Sequence, residues 1–440
     1  LEYQKLGDHL QARGYYYIHV NEESILNGKV ADGNIVMGTA RIKTIILPDI
    51  QHISLDLAER LKELSNSGIE IIFYGDFPER QSGYLNYVEN DKIIESIIND
   101  AQVNFHFIDK SRDLSLYLWD ELKILPVIEF PKPVENIQVI CKQTNQGNFY
   151  FVRSTSPKQL QDTIGFREPG TIPLEVDLWT GQVNPILYYR GGVGQEATVS
   201  LSISTGKVTI PLGFAPYGAK MIWFKPTDEE IAPTHILKSE LEPLKSKDNF
   251  QFIADGEVNA KVIFSDGTEG IVKEVLPPPN PILLENWQLD VEHRMASGEF
   301  KTIKLGETHL DDWRKIKKLK HLSGPGKYNA KVELNSRHIK GDIQAILDLG
   351  KVHDVAIVNV NGEEVDMLLV PPYKVDISDF LKEGQNAIEV TVIGTLRNLL
   401  VGYGKKHGKP WKHHKGRGLM PMGLIGPASV QFRKIIELEH

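Results

Sequence analysis

Between residues 397 and 417 the chain carries seven lysines or arginines, three histidines, Tyr403 and Trp411, and no acidic residue. Cations beside aromatic rings suit sugar recognition: a ring face stacks on the apolar side of a pyranose, while guanidinium or ammonium groups pair a carboxylate. Trp411, Tyr403, Arg397, His413, His414 and Arg417 are therefore the candidate carbohydrate-binding residues, and an anionic polymer such as a uronate-containing pectin is the ligand they would take. Glycines at 402, 404, 408 and 416 make the stretch read as a long loop, and long loops in compact domains are often functional. The competing and commoner reading of such a run is a solvated loop facing another domain. His407, His413 and His414 match no standard metal-ligand spacing.

Catalytic chemistry finds less support. Glycoside hydrolysis needs two carboxylates roughly 5–10 Å apart across the scissile bond. Asp49, Asp76, Glu79, Asp311 and Asp312 are available, but solvated surface charge supplies such pairs readily. Asp76, at a strand end, is the strongest single candidate, and turn capping is its readier role. The one cysteine, Cys141, excludes an internal disulfide and a cysteine-based metal cluster. It closes a β-prone run beginning at Ile137 and alternates with Ile137 and Val139 on one face, which reads as a buried apolar side chain rather than a nucleophile. No catalytic residue is assigned.

The elements that must position these residues fall into three groups. Residues 3–127 alternate helix and strand: 15–20 is aromatic and β-prone, 44–48 and 69–74 are short buried strands, 55–65 and 92–98 have helical spacing, and 103–108 is an edge strand. That order predicts βαβ units and a parallel sheet. Gly68 closes a helix, and Gly75-Asp76-Phe77-Pro78 ends a strand where such sheets often place ligands. After Pro131-Lys132-Pro133 the helical pattern stops. Strands at 137–142, 148–153, 174–178, 186–189, 197–203, 207–210 and 220–224 predict an all-β sandwich. Pro277-Pro278-Pro279-Asn280-Pro281 is a stiff connector and the clearest boundary. Beyond it, strands at 326–334, 344–349, 355–360 and 387–393, with Asn361-Gly362 as a hairpin turn, predict a second sandwich of jelly-roll type. The fold class is multidomain, α/β plus all-β, divided at 1–130, 134–276 and 282–436.

With 440 residues, 41% hydrophobic and 25% charged, the chain has globular composition and exceeds a single core. Its net charge of −8 gives no general attraction to nucleic acid. The apolar runs at 42–50 and 69–74 fall short of the roughly 18–20 residues of a membrane span. Residues 1–5 lack the layout of a signal peptide, and 437–440, ending Leu438-Glu439-His440, read as a purification-tag remnant.

The last module carries a series of local phrases: Leu347-Asp348-Leu349-Gly350, Pro371-Pro372-Tyr373-Lys374-Val375-Asp376-Ile377, Leu381-Lys382-Glu383-Gly384-Gln385-Asn386, Asn398-Leu399-Leu400-Val401-Gly402 and Gly423-Leu424-Ile425-Gly426-Pro427. Together they resemble the C-terminal galactose-binding-like jelly roll of glycoside hydrolases, most closely the α-L-rhamnosidases of glycoside hydrolase family 106. Asp311-Asp312-Trp313 followed by Tyr328 resembles the entry into that fold, with Trp313 in its core. Residues 176–181 and 211–218 look like the accessory sandwich that precedes it, and residues 1–130 like an amidotransferase-like α/β domain with an abrupt start. No cysteine lies in 1–130, which argues against amidotransfer and for a structural or assembly module there.

In that family the acid and base carboxylates sit on an upstream (β/α)8 barrel, and no barrel's worth of βα repeats is present here. The resemblance implies a non-catalytic accessory region that supports the barrel, helps bind a plant or bacterial polysaccharide, and is exported to the periplasm or outside the cell. It implies no cofactor and leaves a structural calcium ion open. Two alternatives stay open: a free-standing carbohydrate-binding protein, and a structural assembly module without sugar binding.

Overall fold

The computed structural model describes residues 2–100, 102–191, 207–227, 233–244, 250–254, 259–273, 276–295, 297–407 and 409–438. The chain forms two compact units, residues 1–183 with 191–232 and residues 184–190 with 233–440. Strand is the predominant secondary structure.

In the first unit, the apolar runs 44–48 and 70–74 become the strands Thr44–Pro48 and Glu70–Tyr74, which pair in parallel with Phe105–Ile108 on the far edge. Alternate side chains go to opposite faces. Ile45, Leu47, Ile71 and Phe73 pack against the helices Leu55–Asn66 and Tyr87–Ile98, while Ile72 and Ile108 pack with Leu10, Leu114 and Leu118. Covering on both faces explains why Ile45–Leu47 and Ile71–Tyr74 read as apolar runs without alternation. The helix Leu55–Asn66 starts where the Ser54 hydroxyl accepts the Leu57 N–H, and it stops before Gly68, whose φ of +84° favours glycine. Residues 15–20, expected as a strand, are irregular. The Tyr15 hydroxyl instead donates to the carbonyls of Ser115 and Ile124, so the aromatic run anchors the chain through side chains rather than a ladder.

Beyond residue 127 the same unit places two antiparallel sheets face to face among the described residues. Ile137–Thr144, Gly147–Ser154, Ala219–Pro226 and Thr171–Val176 are neighbours in that order, and Val208–Phe214, Leu160–Phe166 and Ile128–Glu129 form the other. Tyr150 and Phe224 of the first meet Phe166 of the second in a ring cluster with centroids 5.0–5.4 Å apart. Cys141 faces this core only half-buried, and burial pushes its thiol pKa up. The strand expected at 197–203 lies outside the described residues.

The second unit is built on a six-stranded antiparallel sheet in the order Phe300–Thr308, Trp287–Arg294, Gly326–Leu334, Gly384–Ile393, Val355–Val360, Glu363–Leu368. Its core is shared with a second sheet that includes Ile343–Asp348 and Ser429–Leu438: Trp287, Tyr328 and Val390 pack in one cluster with Leu347, Val430 and Phe432. Asn361 and Gly362, with φ of 52° and 90°, form the two-residue turn expected between Val355–Val360 and Glu363–Leu368.

Two pairings bear on the expected boundaries. The connector at Pro277-Pro281 lies inside this unit, because Phe250–Ile253 pairs directly with Ser429–Leu438 and draws residues before the prolines onto the same sheet. Glu437 and Leu438, set aside as part of a tag, continue that strand: Leu438 pairs with Phe250 and packs on the cluster containing Ile236, Val262 and Phe264.

Candidate functional site

The acid-free stretch 397–417 is no loop. It forms the helix Arg397–Lys406 and a 3-10 turn Trp411–His414. Leu399 and Val401 are buried, and the buried Asn398 side chain holds the following segment by donating to the Met420 carbonyl and accepting the Met420 N–H. Two of the glycines that suggested a loop, Gly402 and Gly404, serve close approach instead. A Cβ at Gly402 would stand 2.8 Å from the His321 Cβ, and one at Gly404 would stand 2.7 Å from the Trp411 carbonyl oxygen. Glycine lets the helix pack flush against both neighbours.

This packing brings the predicted residues together in two groups. Tyr403 and Trp411, both half-buried, have ring centroids 5.7 Å apart with planes tilted by 33°, and Tyr403 also meets His407 at 5.2 Å. Arg397 donates from Nε to the Gly418 carbonyl, His413 donates from Nδ1 to the Pro410 carbonyl, and the His413 and His414 rings lie 3.9 Å apart. The Arg417 N–H bonds the His414 carbonyl and its side chain is exposed. Partial desolvation, then the charges of His413, Arg417 and Arg397, hold the His414 imidazole below its ordinary pKa. The site offers ring faces and positive charge, and it contains no carboxylate to act as acid, base or nucleophile.

Four of the five acidic candidates are engaged elsewhere, and Glu79 is exposed. Asp49 pairs with Lys110 and accepts the Asp76 N–H, and the Lys110 bond leads in holding its carboxyl below the usual range. Asp76 accepts from Gln51, Asp311 pairs with Lys315 at 2.8 Å, and the buried Asp312 accepts from Arg314. Asp49 and Lys110 also line an open cleft of about 260 Å³ at the carboxyl ends of the parallel strands, together with His9 and Tyr74. Trp313 fills the core as expected, 1% exposed, with Nε1 donating to the Tyr328 hydroxyl at 2.6 Å.

Sequence reasoning missed His321 and the lysines that precede it. The signal was present as a second acid-free run at residues 313–332; its proximity to 397–417 was not. Among the described residues, no group of three or more His, Cys, Asp or Glu is placed to hold a metal ion. No helix among them is long and apolar enough to cross a membrane.

The fold resembles part of a glycoside hydrolase. The structure of a rhamnosidase from Novosphingobium sp. PP1Y superposes with a TM-score of 0.61 at 20% identity, over 96% of this chain and 36% of that one. A protein of Formosa agariphila named "Putative beta-glucuronidase" is 30% identical over 127 residues, which is 28% of this chain and 11% of that protein. The chain thus spans little more than a third of the rhamnosidase and about a tenth of the Formosa protein. No protein-family model matches.

Proposed function

We propose that this chain is the non-catalytic accessory region of an α-L-rhamnosidase-like glycoside hydrolase of the family 106 type, and that it binds polysaccharide while supporting a catalytic barrel carried upstream. In this reading residues 1–130 are an amidotransferase-like domain, the following sheets an accessory sandwich, and residues 282–436 a galactose-binding-like jelly roll. The likeness over 96% of the chain to a rhamnosidase structure carries the proposal. The absence of any carboxylate from the aromatic and basic site agrees with binding rather than hydrolysis there. Tyr403 and Trp411 stack on sugar rings, and Arg397, His413, His414 and Arg417 face anionic substituents.

The test is calorimetry against pectic and rhamnose-containing oligosaccharides, run beside hydrolysis of aryl rhamnosides. Binding without turnover is expected, with affinity falling about tenfold or more in Trp411→Ala, in keeping with the roughly 1–3 kcal/mol of a buried aromatic contact. Turnover by this chain overturns the accessory reading, and undiminished binding by Trp411→Ala removes the site from it.

A further inference from the structure

The helix Arg397–Lys406 does not carry its positive charge alone. His321 donates from Nδ1 to the Asn398 carbonyl at 3.3 Å across 77 residues of sequence, and its side chain fills the space beside Gly402. His321 closes a turn segment whose cations, Arg314, Lys315, Lys317, Lys318 and Lys320, are all exposed. Arg314 and Lys315 are taken by Asp312 and Asp311. Lys317, Lys318, Lys320, Lys405 and Lys406 are in no ion pair among the described residues. Neither 313–332 nor 397–417 contains an acid, although the whole chain has a net charge of −8.

The concentration of charge registers on His321 and His414, two of the four imidazoles within it. His321 is held below its ordinary pKa by burial, which outweighs its bond to the Asn398 carbonyl, and further by Lys405, Lys320 and Lys406. His414 is lowered by desolvation and by His413, Arg417 and Arg397. The two segments therefore carry two positive foci, His321 with Lys320, Lys405 and Lys406, and His414 with His413, Arg397 and Arg417, with the Tyr403–Trp411 ring pair on the second segment.

We propose that the turn at 314–321 and the segment 397–417 form one continuous surface for a polyanionic polysaccharide, with carboxylate or sulfate groups on the lysines and sugar rings on Tyr403 and Trp411. This rests on the carbohydrate-binding reading above and adds the second segment that holds the ligand. Lysines predominate, and their mobile point charges pair equally with carboxylates and sulfates spaced along a flexible chain. The net negative charge of the remainder confines such a polymer to this surface.

The test uses the full chain and affinity electrophoresis with polygalacturonate, dextran sulfate, neutral dextran and duplex DNA. Expected are retardation by one or both anionic polysaccharides, weakening as salt rises from about 50 to 200 mM, and at least tenfold loss in the charge-reversed variant K320E/K405E/K406E. A second variant, K317E/K318E, alters only exposed side chains and is expected to lose affinity in the same direction, with circular dichroism melting verifying the fold of both. The carboxylate and sulfate arms identify which anion is read. Equal binding of neutral and anionic polymers, insensitive to charge reversal, overturns this inference and leaves the carbohydrate-binding reading standing. Charge-dependent binding of DNA alone overturns both, as does failure to bind any polymer.

Discussion

Replacing Gly404 by alanine separates two opposed expectations. Helix propensity alone favours alanine over glycine in a helix interior by about 1 kcal/mol, so an isolated reading of Arg397–Lys406 predicts stabilisation. In the structure the added Cβ would lie 2.7 Å from the Trp411 carbonyl oxygen and 2.8 Å from the Lys415 nitrogen. Both contacts are backbone, so the 3-10 turn must move by several tenths of an ångström, and overpacking of this kind costs about 1–3 kcal/mol. The net expectation is a loss of about 1 kcal/mol, or a fall in Tm of about 2–4 °C for a unit of this size.

Gly416 provides the control: it is exposed and a Cβ there meets nothing within 4 Å, so alanine should change stability by less than about 0.5 kcal/mol. Thermal unfolding by circular dichroism gives both numbers, and the near-ultraviolet signal reports displacement of Trp411 from Tyr403. A rise in Tm for Gly404→Ala would refute the close-packing argument, because the steric cost would then be smaller than the propensity gain.

Two further predictions concern stability. The Tyr328 hydroxyl accepts from Trp313 Nε1 and from the Leu424 N–H; Tyr328→Phe leaves both donors buried without an acceptor and should cost about 2–4 kcal/mol in urea denaturation, so a loss under about 1 kcal/mol would mean the bonds are replaceable. Asp113 caps the helix Leu114–Asp120; burial raises its carboxyl pKa, but the Ser115 hydroxyl, His9 and Arg13 outweigh this and hold it at about 2. Since that lies below the unfolded value of about 3.9, its contribution is complete above about pH 4 and is lost as pH falls through about 2. Asp113→Asn should cost about 1–2 kcal/mol near neutrality, discounted for solvent screening, and almost nothing near pH 2; a pH-independent difference would contradict the assignment.

Much of the architecture was legible because local pattern and tertiary environment agreed. The runs at 44–48 and 70–74 are apolar past their first residue because helices cover both faces of their sheet, and Asn361-Gly362 adopts the positive φ values its residue types favour. The misread segments share a different cause: a side chain or glycine acts there through a distant partner. Tyr15 is fixed by carbonyls about a hundred residues away, beyond the reach of a β-propensity argument. Gly402 and Gly404 look like loop residues until His321 and Trp411 are seen against them. At the candidate site, the aromatic and basic residue types were visible in the sequence, whereas the helix that groups them and the second basic segment beside it depend on contacts between remote positions.

The strand Ser429–Leu438 lies in the middle of its sheet, with Ile343–Asp348 on one side and Phe250–Ile253 on the other, yet it follows both partners in the sequence. On the ribosome, those partners emerge well before the strand that joins them, so their facing edges stay unsatisfied until the final strand arrives. At about 5–20 residues per second, the interval from Phe250 to Leu438 is on the order of ten seconds or more. Throughout that time the nascent chain presents open strand edges and apolar surface to chaperones and to other nascent chains. Completion of this sheet therefore waits on Ser429–Leu438, and removal of residues 435–438 would leave Phe250–Ile253 paired with Glu242–Leu244 alone.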